Sequence, residues 1–148
     1  MLLAAYRDTG YNIVLFLHVL TVIVAMAGAV AHPIMFALEQ KRDDGDMAAL
    51  ARRIVMPSRI YAISYALTGI IGFGLVSMGD LSWGATWLWL SIVLWIVTNG
   101  ILHALLLPAE RAVAGGDTSA IAKLNQIGPV LSILVLIVIF LMTVKPGA

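Results

Sequence analysis

Four long apolar stretches organise the chain, over approximately residues 12–38, 58–78, 83–107 and 127–144. An α-helix needs roughly 20 apolar residues to cross about 30 Å of hydrocarbon, and each stretch is close to that length or longer. The segments between them are short and carry most of the charged residues. The pattern predicts an all-α integral membrane four-helix bundle, with residues 1–148 forming a single membrane domain.

Three of the five prolines bear on where the predicted helices begin or bend. Pro57 and Pro129 come close to the predicted starts of helices two and four, where the first turn has no need of the missing N–H. Pro33 lies inside the first stretch, so we expect it to kink helix one.

Composition strengthens the membrane assignment. Hydrophobic residues make up 61% of the 148 and charged residues 11%, against roughly 45–50% and about 25% in soluble domains. The chain has no cysteine, which excludes disulfides, thiolate metal sites and cysteine nucleophiles. No nucleotide, phosphate or nucleic-acid motif is present. The lipid bilayer is therefore the expected partner, and nucleic acid is not.

Basic residues are distributed unevenly between the two sides that four helices would create. Of nine lysines and arginines, only Arg7 and Lys145 lie on the side of the termini. The others lie in the loops at 39–59 and 108–126. The positive-inside rule places these loops in the cytoplasm. We therefore expect a multi-pass protein of the bacterial cytoplasmic (inner) membrane, with both termini outside.

A set of polar and small positions recurs at an offset of 71 residues: His32 and His103, Glu39 and Glu110, Gly45 and Gly116, Asp46 and Asp117. The offset predicts two tandem two-helix repeats, about 12–78 and 83–144, related by a pseudo-twofold axis along the membrane normal. Each Gly-Asp pair precedes an alanine-rich run, which predicts an N-capped helix at the membrane surface.

Histidines inside predicted spans are functional candidates, because ionisable groups are costly there. His32 and His103 each precede a glutamate by seven positions, about two helical turns on one face. They are either hydrogen-bonded or interfacial structural residues, or the ligands of a symmetric bis-histidine metal site. No aspartate or glutamate falls inside a predicted span. This argues against a proton pump or an ion-coupled transporter.

His18 lies nearer the opposite membrane surface. About 14 residues separate it in depth from the other two histidines, or roughly 21 Å at the helical rise. One iron cannot be shared across that distance. As a haem ligand, His18 would act alone or pair with a group such as Met142 or Met78.

The series His18, Gly28 and Pro33, spaced H-x9-G-x4-P, resembles the first helix of the HemJ-type protoporphyrinogen IX oxidases and their CopD-like relatives. Three later segments agree in order: Arg52-Arg53 before Pro57, the run 124–129, and Val144-Lys145-Pro146. The resemblance covers most of the chain. It implies a small four-helix membrane protein in which His18 ligates haem iron and Gly28 and Pro33 belong to the cofactor site.

Several positions depart from the HemJ pattern. Ile34 follows the helix-one proline where HemJ-type enzymes carry an arginine, and helix three has no lysine. Gln126 stands in place of a glutamate, and Gly128 is added before Pro129. The chain is therefore more similar to a paralogue within the superfamily than to HemJ itself.

Two functions are consistent with these features. The first is a redox protein that binds haem b or another porphyrin through His18. The second is a non-catalytic subunit, or a homo-oligomer, that packs in a larger membrane complex. The glycines of helix two suit either a flat macrocycle or close helix packing. A copper-handling role would call for Met- or His-rich clusters, which the chain lacks. No residue is assigned a catalytic role.

Overall fold

A computed structural model describes residues 8–79 and 81–147. It contains four long helices, all of them long and apolar enough to cross a membrane: α1 (Thr9–Glu39), α2 (Met47–Met78), α3 (Thr86–Ala114) and α4 (Ala120–Val144). The described residues include no β-strand. The predicted all-α four-helix membrane bundle is thus confirmed. Arg7, used above to orient the chain, lies outside the described residues.

The helices are arranged so that α1 contacts α2 and α4. The third helix contacts α4 and, mainly through its last turns, α2, so α1 and α3 are diagonal to each other. One end of the bundle carries the start of α1, the end of α4 and the described residues 81–85 between α2 and α3. We call it the terminal end, and the opposite end, with the loops at 40–46 and 115–119, the loop end.

Apolar side chains cover the outside of the bundle and several polar side chains are buried, as is typical of a membrane protein. Large apolar side chains such as Phe16, Ile63 and Ile133 are exposed on the outside of the bundle. The buried set includes polar residues: His32, Ser58, Thr68, Ser91, Thr98 and Glu110. Such an exterior suits hydrocarbon, because a contiguous apolar surface of this extent is unusual on a soluble monomer.

Helices α2 and α4 begin well before the apolar stretches do. The predicted cap at the first loop is confirmed: the Asp46 carboxylate accepts a hydrogen bond from the Ala49 N–H at 2.9 Å and begins α2. Asp117 instead accepts from the Ser119 N–H, and α4 starts at Ala120 without a side-chain cap. Both surface helices continue directly into the membrane spans. Pro57 and Pro129 therefore lie inside helices, and their predicted placement near a first turn is wrong.

Pro33 also lies within a helix, and α4 compensates for it. Proline cannot donate the hydrogen bond that the Ala29 carbonyl would receive in a regular helix. The Ser132 hydroxyl of α4 donates to that carbonyl instead. Gly128 lets the two helices come close, since a Cβ there would lie 3.1 Å from Pro33 Cγ. A proline, a serine and a glycine thus take part in the contact between α1 and α4.

The third helix contains one π-helical turn, Leu102–Leu106. There the Leu107 N–H bonds to the Leu102 carbonyl, five residues back, and Pro108 follows. A π turn accommodates one extra residue. Thr98 and Glu110 are twelve positions apart, so an uninterrupted α-helix would set them about 120° apart around its axis. The extra residue reduces this angle to roughly 20°. Both side chains are accordingly buried, each 1% exposed.

Candidate functional site

The bundle core contains a loop-end cavity of about 300 Å³ and a terminal-end cavity of about 390 Å³. Tyr65 and Val135 line both cavities and therefore form the layer between them. Both volumes lie at the lower end of the roughly 300–1,000 Å³ typical of small-molecule sites. Apart from His103, the predicted site residues are divided between the two.

Three helices contribute polar side chains to the loop-end cavity. His32 of α1 and Glu110 of α3 are buried, and Ser58 comes from α2. The Ser58 hydroxyl lies 3.0 Å from His32 Nδ1, and Glu110 Oε1 lies 3.5 Å from the same nitrogen. The Tyr61 ring meets the imidazole edge-on, with centroids 5.0 Å apart. An imidazole, a hydroxyl and a carboxylate thus meet in one buried cluster.

Several atoms in this cavity have no hydrogen bond. Neither Glu110 oxygen has one, and the 3.5 Å contact with His32 is longer than the about 2.7–2.9 Å of a charge-assisted bond. The Tyr65 and Thr98 hydroxyls are close enough to interact, but neither makes a hydrogen bond of good geometry. Buried polar groups in proteins are nearly always satisfied, so these atoms call for an explanation.

Glu110 is the functional candidate that the apolar pattern missed. The third apolar stretch ends at residue 107, whereas the helix continues to Ala114 and carries Glu110 into the core. The expectation that no aspartate or glutamate falls inside a span is therefore wrong for helix three. A local signal was present in the sequence. Apolar residues flank Glu110 at three and four positions on each side, which is the spacing of a buried helix face: Leu106, Leu107, Val113 and Ala114.

His103 is exposed and lines neither cavity. His103 lies within the π turn, whose extra residue rotates Glu110 away from the histidine's face, so the expectation that the two share a face is wrong. The structure does not bring His103 into the buried cluster around His32. Within residues 8–79 and 81–147, no group of three histidine or carboxylate side chains could hold a metal ion.

His18 lines the terminal-end cavity, where its Nδ1 lies 2.9 Å from the Thr68 backbone carbonyl. A carbonyl only accepts hydrogen bonds, so Nδ1 carries the hydrogen and Nε2 keeps its lone pair. Gly72 leaves room for the ring, since a Cβ there would lie 3.3 Å from His18 Cε1. An imidazole fixed through one nitrogen to a carbonyl, with the other nitrogen free to coordinate, is the usual arrangement of a metal-binding histidine.

The other residues lining this cavity are compatible with a porphyrin. Trp87 and Trp95 contribute aromatic surface, and Met142 contributes a thioether, whereas Met78 does not line the cavity. Lys145 adds a positive charge and lies over the Trp87 ring, 5.4 Å from its centroid. The cavity thus combines an imidazole, a thioether, apolar walls and a cation that could pair with a carboxylate.

Gly28 and Pro33, the other predicted cofactor residues, line the loop-end cavity and not the cavity of His18. Gly28 accommodates a side chain of the protein itself, because a Cβ there would lie 2.0 Å from Tyr61 Cδ2. Gly69 is covered in the same way by the Trp95 indole. These two glycines therefore admit aromatic side chains between helices.

Comparison with known proteins agrees with an integral membrane protein. The model of one family, predicted integral membrane proteins (DUF2269), matches residues 12–146. The chain belongs to this family. No curated protein and no solved structure matches it. The family match supports location in a membrane.

Proposed function

We propose that this DUF2269 protein binds a b-type haem or a related porphyrin in the terminal-end cavity, with His18 Nε2 as an iron ligand. The observation that carries the proposal is the hydrogen bond between His18 Nδ1 and the Thr68 carbonyl. It fixes the tautomer and leaves a lone pair on a residue that lines a largely apolar cavity. When bound, the haem would supply one-electron redox chemistry.

The chain's own residues would hold the group and set its environment. Met142 offers a thioether as a second ligand, and Lys145 offers a cation to a propionate. Trp87 and Trp95 would exclude water, which together with the ligand type governs a haem potential. Gly28 and Pro33 would support the site through the packing of α1. The resemblance to HemJ-type and CopD-like proteins supports the same assignment for His18.

We expect wild-type protein purified from haem-replete cells to show a Soret band. His18→Ala should abolish or strongly shift that band, because it removes the coordinating nitrogen. His103→Ala is the matched control and should leave the spectrum unchanged, since His103 is exposed and lines neither cavity. Wild-type protein without a Soret band, even after titration with haemin, would contradict the proposal and favour the packing-subunit hypothesis.

We also propose that the loop end faces the cytoplasm, as the basic loops indicate. The chain lacks cysteine, so single cysteines can be introduced without background. Ser82→Cys and Thr118→Cys change exposed residues at opposite ends of the bundle. A membrane-impermeant maleimide should label the first in intact spheroplasts and the second only after permeabilisation. If only Thr118→Cys were labelled in intact spheroplasts, the loop end would face outside and the proposed orientation would be wrong.

A further inference from the structure

The loop-end cavity contains a carboxylate that no described side chain satisfies. Glu110 is 1% exposed, and neither of its oxygens accepts a hydrogen bond. The nearest group able to carry a positive charge is the His32 imidazole, whose Nδ1 lies 3.5 Å from Oε1. Removing a carboxylate from water without a partner costs several kcal/mol. A ligand that brings a hydrogen-bond donor or a positive charge to Glu110 would offset part of this desolvation cost.

His32 cannot supply this partner while it is bonded to Ser58. Its Nδ1 lies 3.0 Å from the Ser58 hydroxyl and can hold at most one hydrogen. If Nδ1 accepts from Ser58, it has no hydrogen to donate to Glu110. If it donates to Ser58, that hydrogen is already engaged. Either arrangement leaves the carboxylate without a donor of good geometry.

The size and walls of the cavity indicate which ligand would fit. A volume of about 300 Å³ exceeds the needs of a bare metal ion, and the described residues offer no three-ligand metal cluster. The walls are mainly apolar and include the rings of Phe36, Tyr61 and Tyr65. Aromatic faces attract cations and also pack against apolar groups. The unsatisfied Tyr65 and Thr98 hydroxyls can accept further N–H bonds.

We propose that the loop-end cavity binds a small organic ammonium compound. Its charged nitrogen pairs with Glu110, and its apolar body packs against the aromatic and aliphatic walls. The compound enters from the loop end, because the exposed residues Gln40 and Asn125 line the cavity there. Their side-chain amides exchange two hydrogen bonds, of 2.7 and 3.2 Å, and so connect α1 to α4 at this point.

Benzylammonium and benzyl alcohol form a suitable pair of probes, because they share an aromatic body and differ in charge. We expect isothermal titration calorimetry on the full-length protein in nanodiscs to show at least tenfold tighter binding of benzylammonium. Glu110→Gln keeps the shape of the side chain and removes its charge. It should weaken benzylammonium binding at least tenfold and leave benzyl alcohol binding unchanged.

Glu39→Gln is the matched control. Glu39 lies near the end of α1 and accepts a hydrogen bond from the Asp46 N–H, which a glutamine oxygen can also do. The Glu39→Gln variant should bind benzylammonium as tightly as the wild type does. Equal affinity of the wild type for both probes, or unaltered benzylammonium binding by Glu110→Gln, would overturn the proposal. The wild-type comparison needs no variant to fold. His18→Ala should bind benzylammonium normally, so this test is separate from that of the haem site.

Discussion

Gly28→Ala is expected to destabilise the bundle by about 3 kcal/mol, at the upper end of what overpacking a close contact costs. The new methyl group would lie 2.0 Å from Tyr61 Cδ2, 2.4 Å from Cγ and 2.8 Å from Cβ. The ring atoms could swing away, but Tyr61 Cβ is fixed to the backbone of α2. Relief of the clash therefore requires α1 and α2 to move apart. Denaturant unfolding of the purified protein would measure the loss.

Gly100→Ala provides the control for this prediction. Gly100 is an exposed residue of α3, and a Cβ there would meet no atom within 4 Å. Alanine is the better helix former, so this change should be neutral or should stabilise by up to about 1 kcal/mol. If Gly28→Ala were as stable as Gly100→Ala, the close approach of α1 to Tyr61 would be refuted.

Ser132→Ala is expected to cost about 1–3 kcal/mol, the penalty for leaving a buried acceptor unsatisfied. The Ser132 hydroxyl donates to the Ala29 carbonyl, which Pro33 deprives of its partner within α1. Ser77→Ala is the matched control, because the exposed Ser77 hydroxyl bonds only to the Phe73 carbonyl of its own helix. It should change the unfolding free energy by less than about 0.5 kcal/mol.

A double-mutant cycle tests the proposed cause of the Ser132 effect. Pro33→Ala restores an N–H that can bond to the Ala29 carbonyl. In this background the Ser132 hydroxyl is no longer the sole donor, so Ser132→Ala should cost clearly less than it does in the wild type. Strictly additive losses would show that the hydroxyl does not compensate for the proline.

The number of helices could be predicted from the sequence, but their ends could not. Hydropathy identifies a helix only where it is in contact with lipid, and the first turns of α2 carry Arg52 and Arg53 on exposed positions. The capping aspartate, Asp46, was visible as a local signal. What could not be foreseen is that the capped segment continues without interruption into the span. The tandem repeat stays a prediction.

The site was predictable only in part. His18 is conspicuous as an ionisable residue in an apolar run, but its partner is a backbone carbonyl, and every residue has one. The contact between His32 and Glu110 joins diagonal helices and depends on a π turn for which the sequence shows no periodic signal. The role of Gly28 depended on which side chain fills the adjacent space, and packing assigns that space to Tyr61.

The π turn lets α3 hold one residue more between Thr98 and Glu110 than a regular helix would need to place both side chains on the same face. Its five residues are Leu102 to Leu106, four of them apolar, and exchanges among apolar side chains there should be tolerated. Removal of one of these residues would restore a regular helix in which Thr98 and Glu110 are eleven positions apart, again about 20° around the axis, so Glu110 would still face the cavity. In related genes this stretch should therefore tolerate both apolar substitutions and the loss of a single codon, provided that Glu110 keeps its face.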